Sequence, residues 1–327
     1  MANVVRFAVV GVGSMGHLHA EYLASRVPNA KLVALADVDV AKAREVGAPL
    51  GVDACFSTLT EVLAQVEIDA VVVASPRRTH ASTIIEAAEA GKHVFSEKPM
   101  ANTLEEIDAA TAAVEKAVVA LQVGFHRRFD PSFRRVREAI GEGDIGEPRI
   151  VHSISRDPVW GSSSRLPEDL LLETTIHDFD VVRHMSGSEI VSVHATGIAS
   201  ADAGRLEGVI VSLRLANGAL ATIDNHVASA YGYDQRVEVF GSLGVASVAN
   251  HTPHRATVVD AGGAIGAPPL HFFAERYADA YIAELAAFTR CVLDGSEPLV
   301  GARDARAAQV AAFAALESLR TGETVRV

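Results

Sequence analysis

The chain has 327 residues, room for two domains, and is 49% hydrophobic and 21% charged, so a large core is within reach. A formal net charge of -12 leaves no basic face for nucleic acid. No apolar run approaches the ~20 residues of a membrane span, and Met1-Ala2-Asn3 leads straight into a strand without a signal-peptide pattern. Two cysteines, Cys55 and Cys291, make neither a disulfide framework nor a zinc pattern, and a cytoplasmic location is expected.

In chain order, Phe7 to Val10 is an apolar run, then Gly11-Val12-Gly13-Ser14-Met15-Gly16, then a helical stretch from Ser14 to Ser25. This is the GxGxxG fingerprint in its proper setting. Gly11 permits a tight turn, Gly13 lets the backbone approach a pyrophosphate, and Gly16 lets helix and strand pack closely. The phosphates would meet free N–H groups at the positive helix end. A second apolar run, Lys31 to Ala36, ends at Asp37, whose carboxylate suits a ribose and repels a 2′-phosphate; NAD is therefore favoured over NADP.

Helices are predicted near Val40 to Leu50, from a capping box at Thr58 to Glu61, over Thr79 to Ala90 closed by Gly91, and after a second capping box at Thr103 to Glu106. Strands are predicted at Ala70 to Ala74, His93 to Ser96 and Ala117 to Gly124. This alternation marks a Rossmann-type parallel sheet, with residues 1–124 as the first domain. Asp130-Pro131 is an N-cap with proline at the first helical position.

The texture changes after about Gly146. Val209, Val211, Leu213 and Leu215 alternate with polar positions. Asn217-Gly218 reads as a two-residue hairpin turn into Leu220 to His226. Arg236 to Phe240 and Val245 to Ala249 pair about Gly241 to Gly244. Residues 125–327 are thus an α+β domain on a large, mostly antiparallel open sheet. Two final helices, near Glu275 to Leu293 and Ala302 to Leu319, are free to pack back on the first domain. Asp260 to Pro269, rich in glycine and alanine, reads as a loose connection.

Two segments carry candidate chemistry. Glu97-Lys98-Pro99 follows a strand at the sheet edge where ligands bind in open α/β folds. Lys98 is either functional or a surface lysine before a turn, and the sequence leaves the Lys98–Pro99 isomer open. In the second segment, Glu173 and His177 stand at i and i+4 on one predicted helix, capped by Gly187. His177 titrates in the range useful for proton transfer; an exposed surface pair is the plain alternative. His80 opens a helix after Ser75-Pro76, where it can meet cofactor phosphate or ribose. Arg127-Arg128 reads as a ligand clamp or as a solvated face. No histidine and carboxylate cluster shows a metal-binding spacing.

Gly11 to Gly16 with His19, Asp37, Ser75-Pro76 with His80, Ala90-Gly91-Lys92-His93-Val94 and Glu97-Lys98-Pro99 together resemble the Gfo/Idh/MocA family of sugar and polyol oxidoreductases. The resemblance covers nearly the whole chain and is nearest to the inositol-oxidising members. Their Gly-Phe-Met-Arg-Arg-Tyr-Asp segment is similar to Gly124-Phe125-His126-Arg127-Arg128-Phe129-Asp130. Tyr231-Gly232-Tyr233-Asp234 and Glu275-Arg276-Tyr277, with Ala280-Tyr281 and Glu284-Leu285, also match. What the resemblance implies is NAD-dependent oxidation of one secondary alcohol of a ring polyol, by a homotetramer (or dimer) built on the second-domain sheets.

The same resemblance implies Lys98, His177 and Glu173 as catalytic residues. Implied cofactor contacts are Gly11, Gly13, Ser14, Met15, Gly16, Asp37, Val38, Ser75, Pro76, His80, Glu97, Lys98 and Arg127. Implied substrate contacts are Lys98, His126, Ser155, Asp157, Glu173, His177 and Tyr233. Three positions depart from the inositol pattern. Glu173 stands for aspartate, Ser155-Arg156-Asp157-Pro158 for His-Arg-Asn-Pro, and His126 for methionine. A stereoisomer of myo-inositol, an inositol derivative or a pyranose therefore stays open as substrate. So do the reverse reduction of a keto-sugar or inosose and a non-catalytic NAD-sensing protein.

Overall fold

A computed structural model describes residues 4–158, 169–199 and 206–327. It divides into two units, Met1–Phe129 with Asp279–Arg306, and Asp130–Ala278 with Ala307–Val327.

The first unit runs β1 (Val5–Val10), α1 (Ser14–Ser25), β2 (Ala30–Ala36), α2 (Val40–Leu50), β3 (Cys55–Phe56), α3 (Leu59–Gln65), β4 (Ala70–Val73), α4 (His80–Glu89), β5 (His93–Ser96), α5 (Leu104–Ala117) and β6 (Leu121–Val123). Its six strands lie in the order β3-β2-β1-β4-β5-β6, all parallel. The order reverses between β1 and β4, the switch point where such sheets bind nucleotides. All four residues of β4 are buried, as a continuous apolar run in a two-sided sheet requires. On α1 the buried stripe is Gly16, His19, Ala20 and Leu23, a helical spacing broken only by one polar ring. Leu285 and Phe288, from the late helix Ala278–Asp294, join this core, with the Phe288 ring centroid 6.1 Å from Phe7 and 6.0 Å from Phe95.

Local signals hold with two amendments. The box at Thr103 is complete, each side chain meeting the other's amide. At Thr58 only half of it forms: the Thr58 hydroxyl accepts from Glu61 N–H, but the Glu61 carboxylate turns to the Ser57 amide and hydroxyl. The strand expected from Ala117 starts only at Leu121. α5 runs on to Ala117 and closes through Val118 in the left-handed region (φ 54°), so the apolar continuity there belongs to a helix end.

The second unit contains α6 (Pro131–Gly141), β7 (Pro148–Pro158), α7 (Ile176–Ser186), β8 (Ile190–Ala199), β9 (Leu206–Leu215), β10 (Leu220–Ser229), β11 (Asp234–Gly241), β12 (Val245–Val248), β13 (Thr257–Asp260), β14 (Gly263–Gly266), the single turn α8 (Phe273–Arg276) and β15 (Val325–Arg326). The late helix above is α9, and α10 is Ala302–Thr321. Seven strands form one sheet, β12-β11-β7-β10-β9-β8-β15, antiparallel throughout except for the β7–β10 pair. α7 packs on β7 and β10.

Two expectations are corrected here. The turn at Asn217-Gly218 spans three residues, not two: Leu215 N–H donates to Ala219, and Gly218 takes a φ of +87°. A left-handed glycine after a tight turn is the usual three-residue solution. The segment from Asp260 is also not a loose connection, because β13 and β14 pair as an exposed two-stranded hairpin. Glycine and alanine there hide the alternation that signals a strand.

Gly16 makes the tightest approach. A Cβ on it would stand 1.8 Å from the Gly11 carbonyl oxygen, so backbone would have to move. Gly16→Ala is expected to cost about 3 kcal/mol through overpacking. Urea unfolding of the two proteins checks this; equal midpoints would mean that α1 shifts freely.

Candidate active site

The cofactor end is built from glycine absences. Gly11 has φ +87°, and a Cβ there would lie 2.5 Å from the Ser75 backbone. At Gly13, by contrast, a Cβ would meet nothing within 4 Å. Gly13 caps α1 without any side-chain hydrogen bond, and the first turn holds no acid. Open space therefore stands before the unpaired N–H groups of a helix N-terminus, a fit for a pyrophosphate. Asp37 fixes this loop: Oδ2 accepts from Val12 N–H at 2.8 Å and Oδ1 from Asp39 N–H at 3.0 Å. Each oxygen keeps a lone pair for a ribose hydroxyl. Val38 beside it is 93% exposed, an apolar surface without a partner in the first unit.

Glu97 and Lys98 follow β5 directly. Glu97 N–H donates to Val73 at 2.9 Å, and its carboxylate accepts from Lys98 N–H at 3.2 Å and meets His19 Nε2 at 2.7 Å. Gly124 makes room for that carboxylate, since a Cβ there would come within 3.2 Å. Burial pushes the Glu97 carboxyl up. The His19 hydrogen bond and charge, with the Lys98 and His80 charges, outweigh burial and hold it below its ordinary value. Lys98 is half-buried, and its bond to Pro99 is cis. His80 sits nearby, with Nδ1 2.8 Å from the Pro99 carbonyl and Nε2 2.6 Å from the Ser75 carbonyl. Its ring stands between the Ser75-Pro76 loop and Pro99.

His126, Arg127, Arg128 and Phe129 form a buried turn of 3-10 helix. The solvated-face alternative is thereby removed. The Arg128 guanidinium reaches Asp304 at 2.9 Å, while the His126 ring lies on Tyr281 at 4.6 Å between centroids.

In the second unit His177 and Glu173 lie on different kinds of helix. Leu170–Thr175 is a π-helix, closed by a bond from the Thr175 hydroxyl to the Leu170 carbonyl, and α7 starts only at Ile176. The plain α-helix expected across the pair is corrected to a π-to-α junction, a feature frequent at functional sites. Glu173 is exposed and His177 is buried to 7%. Gly187 caps α7 in the left-handed region, as expected.

The residue after His177 does the holding. Asp178 is fully buried, and its carboxylate accepts from Ser153 and Ser155 hydroxyls, both at 2.6 Å, and from Asn225 Nδ2 at 3.3 Å. Ser155, expected to touch substrate, thus has its hydroxyl directed at Asp178. Asp157 Oδ1 accepts from Gln235 Nε2 at 3.3 Å, and Tyr233 stands edge-on to Tyr277, 6.0 Å between centroids. Arg156 pairs with Asp224. Burial raises the Asp234 carboxyl, but bonds from Arg236, Tyr231 and Asn250 hold it below the usual range. Arg276 forms a buried pair with Asp130 at 2.6 Å and stacks over Tyr277 at 4.4 Å. Sequence reasoning missed Asp178, Asn225 and Gln235 as supports; adjacency to His177 was the one available signal, for Asp178.

Both parts of the chain match known proteins. Residues 5–125 match the model "Oxidoreductase family, NAD-binding Rossmann fold", and residues 133–247 match "GFO/IDH/MocA C-terminal domain". The chain is 38% identical to myo-inositol 2-dehydrogenase of Thermotoga maritima over 99% of this chain and 98% of that one. It is 39% identical to inositol 2-dehydrogenase of Rhizobium meliloti over 96% and 97%. Scyllo-inositol dehydrogenase from Lactobacillus casei, solved with NAD(H) and scyllo-inositol, superposes with TM-score 0.93 at 31% identity, covering 99% of both chains.

Asp178→Ala removes the acceptor shared by three donors, of which Ser155 keeps the Gln235 amide oxygen, and is expected to cost about 3 kcal/mol, against about 1 kcal/mol for Ser155→Ala. Denaturant unfolding of both variants tests the ranking; a larger loss from Ser155→Ala would remove Asp178 as the anchor.

Proposed function

The chain belongs to the Gfo/Idh/MocA family of NAD-binding oxidoreductases, and from that premise we propose that it oxidises one secondary hydroxyl of an inositol to the ketone. The observation that carries this reading is a pair of braced groups in one chain. Lys98 stands on a turn held by the buried Glu97–His19 pair, and His177 sits on a helix held by Asp178. Full-length identity to enzymes named for myo- and scyllo-inositol supports the substrate class.

Bound NAD would supply the hydride acceptor for the carbon being oxidised. Gly11 to Gly16 would hold its pyrophosphate, with Ser14 and Met15 offering amides, and Asp37 with Val38 would hold its adenosine end. The His177 ring accepts the proton of the reacting hydroxyl. Lys98 donates to the substrate oxygen and stabilises the charge that develops there. Glu173 binds a second hydroxyl or orients His177. Tyr233, Asp157, His126 and Arg127 read the remaining hydroxyls, and Ser155 contributes through Asp178. Glu173 reaches one methylene further than aspartate, a shift of about 1 Å, which is enough to change which ring hydroxyl is presented.

Oligomerisation belongs to the same reading. Ile210, Leu220, Phe240 and Val245 are exposed on the seven-stranded sheet, an apolar surface suited to a second copy in a homotetramer or dimer. Among the described residues no helix is long and apolar enough to cross a membrane, and we assign the enzyme to the cytoplasm.

Absorbance of NADH at alkaline pH, with NAD and then NADP, is read across myo-, scyllo- and chiro-inositol and common aldoses. Saturable turnover of an inositol with NAD is expected; turnover of aldoses alone would move the substrate class. In the same assay His177→Ala is expected to lower kcat about a thousandfold while NAD still binds by fluorescence titration. Near-normal turnover would remove His177 as the base.

A further inference from the structure

The helix α9 brings an unexpected third group to the Glu97–His19 pair. Glu284 is 0% exposed, as is His19, and Glu97 is 6% exposed. One ligating atom from each of the three lies within 4.8 Å of the others. Neither carboxyl oxygen of Glu284 has a hydrogen-bond partner, and neither has Nδ1 of His19. The surroundings are closed: Phe95 and Tyr281 stand edge-on to the His19 ring at 5.3 and 6.1 Å. The Glu284 carbonyl accepts from Gln122 Nε2 at 2.9 Å, which pins this turn of α9 to β6.

We propose that Glu284 is a positioning residue for Lys98, acting through Glu97 and His19 as part of one buried proton-sharing cluster. The proposal rests on the role given to Lys98 above. Two carboxylates this close in a dry site cannot both stay charged, because neither can be solvated. Glu97 has the better claim to the charge, since it has the His19 partner and the Lys98 amide. The proton therefore resides on Glu284. Burial, and then the Glu97 charge, push the Glu284 carboxyl well above its ordinary value. The titratable groups facing it are Glu97 after β5, His19 on α1 and Tyr281 on its own helix; Lys98 and His80 lie beyond Glu97.

A carboxyl raised in the fold stabilises below that raised value and loses the contribution as pH climbs through it. Ionising Glu284 places a second negative charge beside Glu97, loosens its hold on His19 and on the Lys98 turn, and lowers turnover from the alkaline side. A neutral amide reproduces the protonated acid and cannot ionise.

The test compares wild type, Glu284→Gln, Glu284→Leu and Lys98→Ala as full chains. The readouts are the thermal midpoint against pH without substrate, and kcat against pH with the best polyol of the panel. Glu284→Gln is expected to keep kcat within about threefold at neutral pH and to flatten the alkaline fall of both curves, while Glu284→Leu loses about tenfold or more. Parallel alkaline curves for wild type and Glu284→Gln would overturn the proposal. So would a Glu284→Gln loss as deep as that of Glu284→Leu, which would mean that the charged form is required. If Lys98→Ala turns over normally, the Lys98 role falls, and the link from Glu284 to catalysis falls with it. The thermal curves then still decide the proton-sharing cluster.

Discussion

The contact between Gly16 and the Gly11 carbonyl sets the position of α1, and much of the first unit follows from it. No other residue type fits at either place, for a Cβ at Gly16 overlaps that carbonyl and one at Gly11 overlaps Ser75. Once α1 is seated there, its N-terminus opens onto the free space at Gly13. Three residues past Gly16, on the same buried stripe, His19 arrives at Glu97. Glu97 then holds the amide of Lys98. Cofactor binding and the placement of the lysine thus share one helix, and an error in seating α1 would disturb both.

The second unit applies a different constraint to a similar end. Its sheet buries a charge, Asp178, and a buried carboxylate is tolerable only when donors surround it. Two serines of β7 and an asparagine of β10 supply them. The parallel β7–β10 pair, the exception in an antiparallel sheet, is what puts these donors side by side: Asn225 is directly opposite Ser155. The π-helix just before α7 shifts the phase of the chain, so that Glu173 remains exposed while the next residues go under cover.

What could be read from the sequence was short in range. Glycine spacing, N-caps, the alternation in β9 and the acid after β2 each depend on a few neighbouring residues, and each has a physical signature of that length. The failures have the same origin. Val118 ends a helix through its backbone angle, which its side chain does not announce. Glu61 had two amides within reach and took Ser57. The second strand of the hairpin after Thr257, Gly263–Gly266, is mostly glycine and alanine, which carry no face. Partners for buried charges are the hardest case, because Glu284 and Glu97, or Arg276 and Asp130, meet only after the chain has folded. Motif reading singled out Lys98 and His177 as candidates and did not name the buried groups packed around them.

Lys98 and His177 each have an acidic neighbour in sequence, Glu97 before the one and Asp178 after the other. Adjacent residues point in different directions, so the acidic member of each pair turns to interior partners, Glu97 to His19 and Asp178 to Ser153, Ser155 and Asn225. The interior member carries the cost of burial and repays it in position. Loss of Asp178 removes the acceptor that Ser153, Ser155 and Asn225 share. The support under α7 therefore rests on a residue adjacent in sequence to His177.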